Sequence, residues 1–301
     1  MRYSSAVLAR YDGDFHHLKT PLIDAPAAQR DPAVIETVTS MLADIRERGL
    51  DAVLDYARTL DNYQGADIEL TAEQIASSGD RLDPDLRAAI ELGAERTQAF
   101  ARASREHLTD FETEFVPGIV TGAKYIPVSR VGAYLPAGRF PLTASAFMTV
   151  GVAKAAGVPT VIACTPPQPD GGANDAVVYA AHLSRVDRVF VIGGVQALAA
   201  MAYGLLGDLP VDMLVGAGNA FVAEAKRQLF GTVAIDLLAG PSEVAVISDE
   251  TADPVLVAAD LLGQAEHGPN SPAALITTSE EHGHAVIAEI ERQLETLATV
   301  D

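Results

Sequence analysis

The spacing of apolar residues divides the chain into a helical first third and a longer part in which strands and helices alternate. After Asp31-Pro32, apolar residues recur every three or four positions, which predicts a helix that ends near Gly49. Aspartate followed by proline marks a helix start, because the carboxylate caps the first turn and proline needs no amide partner there. Three more helices are predicted in this part: over 51–59, from residue 71, and from 84 to about 107.

From residue 115 the pattern changes to short apolar runs, each followed by a glycine- or proline-rich turn and then by a helical stretch. The predicted strands of this series cover 131–135, 161–164, 189–192 and 213–215. The helices that follow them cover about 143–156, 174–183, 195–203 and 219–229. Such alternation predicts a parallel sheet with helices on both of its faces.

Strand and helix patterns continue beyond residue 231. Strands are predicted over 243–248 and 273–277, with a helix between them that Asp253 and a following proline open. A last helix begins near Glu280, and its apolar residues keep their helical spacing towards Asp301 without a capping signal. We therefore expect a second strand-and-helix unit whose last helix continues to the end of the chain.

The glycine turns between strands and helices are the first candidates for a ligand site. In open α/β sheets, ligands bind beyond the carboxyl ends of the strands, and helix N-termini favour phosphate, so a nucleotide or dinucleotide is expected. The turn 216–218 begins like the G-x-G-x-x-G fingerprint, but Phe221 stands at its third position, and no acidic residue is obviously placed for a ribose. Ordinary tight turns also explain a pair of glycines. The sequence predicts Rossmann-like parallel-sheet domains that lack the standard dinucleotide fingerprint, after a helical N-terminal portion.

A candidate metal site lies at the end of the helix that Asp253 opens. Gln264 and His267 are three residues apart and share a helix face, and Asp260 lies one turn earlier on the same side. An amide oxygen, an imidazole and a carboxylate can all bind one metal ion. A histidine near a helix C-terminus is also a common capping or dipole partner, so spacing by itself leaves both interpretations open.

Net charge, the length of the apolar runs and the cysteine count indicate which partners and which cellular compartment to expect. The 301 residues carry a formal net charge of -20, which argues against nucleic acid or an anionic membrane surface as a partner. No apolar run approaches the length of a membrane helix, and the N-terminus has no sustained apolar segment, so a cytoplasmic location is expected. The single cysteine, Cys164, excludes an internal disulfide and is predicted to be a buried structural thiol.

Five motifs, in register along the chain, resemble the histidinol dehydrogenase family. They are RVGAYLPAGRFPL (130–142), VIGGVQALAAMAYG (191–204), VGAGNAFVAEAKRQLFG (215–231), LAGPSEVAVISD (238–249) and ADLLGQAEHGPNSP (259–272). The resemblance implies a zinc-dependent enzyme that oxidises a primary alcohol through the aldehyde to a carboxylate, with two NAD as hydride acceptors. It also implies a homodimer with a shared active site.

The resemblance assigns roles to particular residues of this chain. It makes Gln264 and His267 zinc ligands that also border the substrate, and Ser242 a substrate contact. It places Tyr134, Gln196 and Asn219 in the NAD site, each in one of the glycine turns that follow the predicted strands. For the domains, it implies a discontinuous zinc and substrate domain formed by 31–128 with 240–301, and an NAD-binding domain over 129–239. Residues 1–30 lack a clear apolar period and are predicted to form an N-terminal arm.

Two departures from the family pattern limit what the resemblance carries. The family's catalytic Glu-His pair and its other zinc ligands, an Asp and a His, correspond to positions beyond Asp301, so no catalytic acid or base is assigned here. His282 and His284 match no family ligand and lie at a predicted helix start, where solvated polar residues are common. The residues present therefore supply half of a zinc site.

The second departure concerns the substrate. The run LPAGRFPLTASAFM after Tyr134 differs from the usual biosynthetic pattern and is more similar to the sulfopropanediol dehydrogenase branch. L-Histidinol, which would place the protein in histidine biosynthesis, is slightly favoured as the substrate over 2,3-dihydroxypropane-1-sulfonate. A hypothesis of another class is a truncated, non-catalytic module that keeps the fold and nucleotide binding.

Overall fold

The computed structural model of the protein describes residues 18–19, 31–65, 67–137, 141–169, 171–207, 209–238, 243–268 and 271–298. The chain divides into two compact units. The larger lies within 31–239, and the smaller includes the described residues from 243 onward.

Three of the helices at the start of the larger unit begin at side-chain caps. Its described part opens with α1 (Pro32–Arg48), α2 (Leu50–Leu60), α3 (Ala72–Ala76), a 3-10 turn (Ser78–Arg81) and α4 (Pro84–Glu106). The Asp31 carboxylate accepts a hydrogen bond from the Ala33 amide at 2.9 Å, and Thr71 forms a capping box with Gln74. The four predicted helix starts are confirmed to within one residue. At three of them a side chain caps the helix, and such caps depend on residues that are neighbours in the sequence.

An antiparallel hairpin follows α4. It consists of β1 (Phe111–Val116) and β2 (Ile119–Ala123), which pair with each other. Apart from the partly buried Thr113, every residue of both strands is exposed, including Phe115 and Val120. The described residues of this chain therefore leave an apolar surface on the hairpin uncovered.

The main sheet is parallel. Its strands are β3 (Arg130–Tyr134), β4 (Thr160–Thr165), β5 (Arg188–Val191), β6 (Met213–Val215) and β7 (Ala234–Ile235). The connecting helices are α5 (Ala144–Ala146), a π-helical turn (Phe147–Gly151), α6 (Val152–Ala155), α7 (Asp175–Leu183), α8 (Gly194–Tyr203) and α9 (Ala220–Leu229). The spatial order is β5-β4-β3-β6-β7, so successive connections run outward from β3 in one direction and then in the other. The switch point between the two directions lies between β3 and β6.

Helices cover both faces of this sheet, as predicted. Residues of β3 alternate between the faces: Val131 and Ala133 belong to one core cluster, and Tyr134 belongs to the other. The cluster around Tyr134 includes α1, α2, α8 and α9, whereas the cluster around Val131 includes α4 and α7. The helices of the first third thus supply part of the core on each face. Cys164 is fully buried, which confirms its predicted place in a strand.

The smaller unit is a β-α-β segment with one more helix. It contains β8 (Val244–Ile247), α10 (Pro254–Ala265), β9 (Ala273–Ile276) and α11 (Glu280–Leu294), and β8 pairs with β9 in parallel. Asp253 caps α10 by accepting from the Val255 amide at 2.9 Å. The expectation that the last helix continues to the chain end is wrong: α11 ends at Leu294, and a turn follows it. Leu297 lies beyond the helix and is nevertheless partly buried, so its apolar side chain does not require the helix to continue.

The predicted fold class is confirmed: the protein is a mixed α/β chain with a five-stranded parallel sheet in its described part and a helical first third. The helices of 31–106 belong to the same compact unit as the main sheet. The functional pairing of 31–128 with 240–301 stays a prediction, and the proposed arm lies almost wholly outside the described residues. No helix among the described residues is long and apolar enough to cross a membrane.

Candidate functional site

The carboxyl edge of the main sheet carries several buried polar groups. Tyr134 ends β3, Thr165 ends β4, and the turn that contains Gly193 follows β5. The Oγ1 atom of Thr165 and the Oε1 atom of Gln196 are buried and have no hydrogen-bond partner among the described residues. Buried polar atoms are normally paired, so two such atoms at the ligand-binding edge of an open α/β sheet mark a candidate site.

The turn after β5 is held by an aspartate from the first third of the chain. Asp61 follows α2, and its Oδ2 atom accepts from the backbone amide of Gly193 and from Nε2 of Gln196, both at 2.9 Å. A Cβ atom added to Gly193 would lie 3.0 Å from the same carboxylate oxygen and 2.9 Å from Cβ of Pro166. Glycine at this position therefore allows the carboxylate to approach the turn closely.

Tyr134 and Gln196 meet at the next residue, Gly194. The Tyr134 hydroxyl accepts from the Gly194 amide at 3.2 Å, and a Cβ atom added to Gly194 would lie 3.0 Å from Oε1 of Gln196. Gly194 has φ 57°, a left-handed conformation that side chains other than glycine adopt with strain. The structure thus brings together two of the three residues that the resemblance assigns to the NAD site.

Burial sets the protonation of this group. It raises the pKa of Tyr134 to about 12, against the opposing effect of the Gly194 hydrogen bond, so the phenol keeps its proton at neutral pH. Burial also raises the pKa of Asp61, although its hydrogen bonds from Gly193 and Gln196 act in the opposite direction. The Tyr134 hydroxyl accepts from Gly194 and remains an O–H donor.

The turn after β6 approaches the end of β3 very closely. Gly216 has φ 114°, and a Cβ atom there would lie 2.3 Å from the backbone oxygen of Tyr134. Its amide donates to Oδ2 of Asp236 at 2.8 Å, and its carbonyl accepts from Nζ of Lys226 at 2.8 Å. The Lys226 ammonium, which is buried, also forms an ion pair with Asp236. Both backbone polar groups of this glycine are therefore held in place.

Asn219, the third residue assigned to the NAD site, has a capping role in the structure. Its side-chain oxygen accepts from the amides of Phe221 and Val222, both at 3.1 Å, at the start of α9. Asn219 is exposed and lies three residues after Gly216, in the turn that follows β6. The side-chain amide nitrogen points to no described partner, so this residue can cap the helix and still donate to a ligand.

In the smaller unit, Gln264 and His267 occupy the end of α10 and the turn after it. The backbone amide of His267 donates to the carbonyl of Gln264 at 3.2 Å, which continues the helical path beyond Ala265. Gln264 is partly buried, whereas Asp260 and His267 are exposed. Among the described residues, no three His, Cys, Asp or Glu side chains lie close enough to hold a metal ion. A site made by Gln264, His267 and Asp260 would contain only two side chains of these four types, so it stays a prediction.

Three more residues considered in the sequence analysis are Ser242, His282 and His284. Ser242 lies outside the described residues. His282, expected at a solvated helix start, is instead buried, and its Nε2 atom lies 2.9 Å from the hydroxyl of Ser248 at the end of β8. His284 is exposed and lies 3.7 Å from Glu280. His282 is therefore a buried packing residue of the smaller unit, and its contact with Ser248 links α11 to β8.

Reasoning from the sequence missed Asp61 and Asp236. Asp61 lies 132 residues before Gly193, and no local pattern indicates that contact. Asp236 lies 20 residues after Gly216, directly after a strand, which is the spacing of the ribose-binding acid in the standard fingerprint. That spacing could have identified it. In this structure its carboxylate binds the glycine turn and Lys226.

The fold and these contacts define an α/β protein whose candidate ligand site lies at the switch point of an open parallel sheet. The chain belongs to the histidinol dehydrogenase family, whose model, described as "Histidinol dehydrogenase", matches residues 25–301.

Several proteins of known name are similar to the chain. It is 50% identical to a histidinol dehydrogenase homolog of Shouchella clausii, over 89% of this chain and 63% of that protein. It is 46% identical to sulfopropanediol 3-dehydrogenase of Ruegeria pomeroyi, over 89% of this chain and 61% of that protein. The crystal structure of histidinol dehydrogenase from Elizabethkingia anophelis matches with a TM-score of 0.84 at 32% identity, covering 91% of this chain and 63% of that one. The chain thus spans about three fifths of the length of these relatives.

Proposed function

We propose that the protein works as a zinc- and NAD-dependent dehydrogenase that oxidises a primary alcohol through the aldehyde to a carboxylate, in the manner of its family. The main sheet binds NAD, and the end of α10 (Pro254–Ala265) contributes to a zinc and substrate site. Family membership supports this function, together with the polar groups at the switch point of the sheet.

One observation carries the NAD part of the proposal. Gln196 is almost completely buried, yet its Oε1 atom has no partner among the described residues, and a side chain at residue 194 would crowd that atom, because a Cβ atom there would lie 3.0 Å from it. A buried acceptor without a partner costs about 1–3 kcal/mol, so it is best explained by a ligand that donates to it. NAD carries amide and hydroxyl donors, and Tyr134 adds a protonated phenol beside the same turn. These groups fit a dinucleotide.

Zinc fits the described residues only in part. Gln264 and His267 would supply a neutral oxygen and an imidazole nitrogen, whereas zinc in proteins takes at least three protein ligands. When bound, zinc supplies Lewis acidity towards the oxygen of the alcohol. The roles of this chain's residues are to bind the ion and border the substrate, with Ser242 as a further substrate contact. The remaining ligands and the general base belong to no described residue.

Two substrates follow from the relatives. L-Histidinol fits the family's name, and 2,3-dihydroxypropane-1-sulfonate fits the name of the Ruegeria pomeroyi relative, sulfopropanediol 3-dehydrogenase. The two alcohols differ in charge, since one carries amine and imidazole groups and the other a sulfonate. Steady-state assays that follow NADH formation with each alcohol decide between them. Turnover that survives complete removal of zinc would refute the proposed chemistry.

A non-catalytic nucleotide-binding module is the alternative of another class. It is favoured by the incomplete set of metal ligands in the described residues. Titration calorimetry with NAD and with zinc separates the two functions. NAD binding without turnover on either alcohol would support the module, whereas turnover that requires zinc would exclude it.

Replacing either proposed zinc ligand is expected to weaken zinc binding by more than about tenfold, because each substitution removes a donor atom from the ion. The variants are Gln264→Ala and His267→Ala, and the measurement is titration of zinc into the metal-free protein. Glu266→Ala is the matched control, since this exposed carboxylate lies between the two ligands in the sequence. Equal zinc affinity in all three variants would contradict the assignment.

We further propose a homodimer in which the β1–β2 hairpin forms part of the subunit contact. A two-stranded ribbon is marginally stable in water without a packed face, and large exposed apolar patches mark interaction sites. The hairpin exposes several large apolar side chains: Phe111, Phe115, Val116, Ile119 and Val120. Burial against a second copy of the chain would cover them.

The double substitution Phe115→Glu with Val120→Glu is expected to shift the protein to a monomer, because two charges would have to be buried in the subunit contact. Sedimentation velocity measures the change in mass. Phe230→Glu, a charge at another exposed phenylalanine outside the hairpin, serves as the control and should leave the mass unchanged. A double variant that sediments like the wild type would exclude the hairpin from the contact.

A further inference from the structure

The side-chain amide of Gln196 can face the candidate cofactor site in two ways. Its oxygen or its nitrogen can point towards the ligand, and only the oxygen can accept a hydrogen bond from a ligand donor. Which atom does so depends on the groups that surround the amide inside the protein. In this structure, Nε2 donates to the Asp61 carboxylate at 2.9 Å, and Oε1 has no described partner.

The Asp61 carboxylate determines which end of the Gln196 amide faces the ligand. A carboxylate only accepts hydrogen bonds, so it pairs with the NH2 end of an amide and rejects the oxygen end. Its position is fixed by the second bond, from the Gly193 amide at 2.9 Å, and by the close fit of the carboxylate against the α-carbon of Gly193. One side chain from outside the sheet thus determines both the path of the turn and the orientation of the amide.

We propose that Asp61 is a positioning residue of the dinucleotide site, which holds the Gln196 oxygen towards a hydrogen-bond donor of NAD. The inference rests on the proposed NAD-binding function. It gives the helical first third a direct part in cofactor recognition, since Asp61 directly follows α2 in the chain. The group recognised by Gln196 is an N–H or O–H donor, such as the carboxamide or a ribose hydroxyl.

The NAD affinities of Asp61 variants distinguish a positioning role of Asp61 from a general structural role. Asp61→Ala frees the Gln196 amide to rotate, and NAD affinity should fall by about tenfold, the size expected when one buried hydrogen-bonding group is misoriented. Asp61→Asn keeps a side-chain oxygen that can accept from both donors, so it should retain most of the affinity. Asp55→Ala is the matched control, because Asp55 lies on the helix that Asp61 follows and its ion pairs with Arg48 and Arg58 are exposed.

A double-mutant cycle with Gln196→Ala completes the test. If Asp61 acts through Gln196, then Asp61→Ala should have little further effect on NAD affinity in the Gln196→Ala background. Titration calorimetry of NAD into the 301-residue protein gives the affinities, and thermal unfolding shows that each variant is folded. An equal loss in both backgrounds, or no loss in Asp61→Ala, would overturn the inference while leaving NAD binding established. A wild-type protein that does not bind NAD would instead refute the proposed function and the inference with it.

Discussion

Gly216→Ala is expected to lower the free energy of unfolding by about 4 kcal/mol, through backbone strain and a steric clash acting together. The backbone at this glycine is left-handed, which costs other residues about 1–3 kcal/mol, and the new methyl group would lie 2.3 Å from the backbone oxygen of Tyr134. That oxygen belongs to the end of β3 and cannot move away without disturbing the sheet, so overpacking adds about 1–3 kcal/mol. Urea denaturation followed by circular dichroism measures the change.

Gly231→Ala is a matched control for this experiment. Gly231 also has a left-handed backbone, with φ 99°, but a Cβ atom there would have no heavy atom within 4 Å. Its substitution therefore carries the conformational cost without the steric clash. If the two variants lose equal stability, the close approach between the β6 turn and β3 is not the cause of the effect.

Lys226→Met is expected to destabilise the protein by about 2–3 kcal/mol, because it breaks a buried ion pair. The substitution removes the pair with Asp236 and the hydrogen bond to the carbonyl of Gly216, and it leaves both partners without their cation. Breaking a buried pair costs about 3–5 kcal/mol, and the Asp236 side chain is 26% exposed, so solvent offsets part of the loss. Denaturant unfolding measures the difference from the wild type.

Lys154→Met provides the comparison for Lys226. Lys154 makes the same kinds of contact, an ion pair with Asp187 at 2.6 Å and a hydrogen bond to the carbonyl of Pro159 at 2.8 Å. This pair is more exposed than the Lys226 pair, so its loss should cost less than about 1 kcal/mol. Similar losses in the two variants would show that burial of Lys226 contributes little.

Gly216→Ala and Lys226→Met both alter the turn that follows β6, next to the end of β3. The candidate NAD residues Tyr134 and Asn219 lie on either side of that turn. A loss of NAD affinity is therefore expected to accompany the loss of stability. Binding measured well below the unfolding temperature separates the local effect from global unfolding.

Local signals in the sequence determined most of the elements. Asp31, Asp83, Asn174, Asn219 and Asp253 cap the helices that the pattern predicts, each with an oxygen that accepts from amides two or three residues later. The alternation of apolar strands with glycine turns determined the parallel sheet, because this pattern requires crossover helices. The five motifs also identified the family that comparison with known proteins confirms.

The sequence was less informative where contacts join distant residues. Asp61, Lys226 and His282 each carry a charge or an imidazole that is usually solvated, and their neighbours in the chain do not indicate burial. Each is held by partners on another element: the Gly193 turn, the Gly216 turn and the end of β8. The tertiary structure provides these partners, and they compensate for the loss of water around each polar group.

The sequence by itself determined most of the helices, the strands and the parallel sheet. Its resemblance to the family supplied the candidate residues Tyr134, Gln196, Asn219, Gln264 and His267, whose roles stay predictions. Only the tertiary structure decided that Tyr134 and Gln196 share one glycine turn, and that Asp61 from the helical first third orients the Gln196 amide. The reason is physical. Caps and apolar periods act between near neighbours in the chain, whereas the orientation of a buried amide depends on whichever donors and acceptors the fold brings against it.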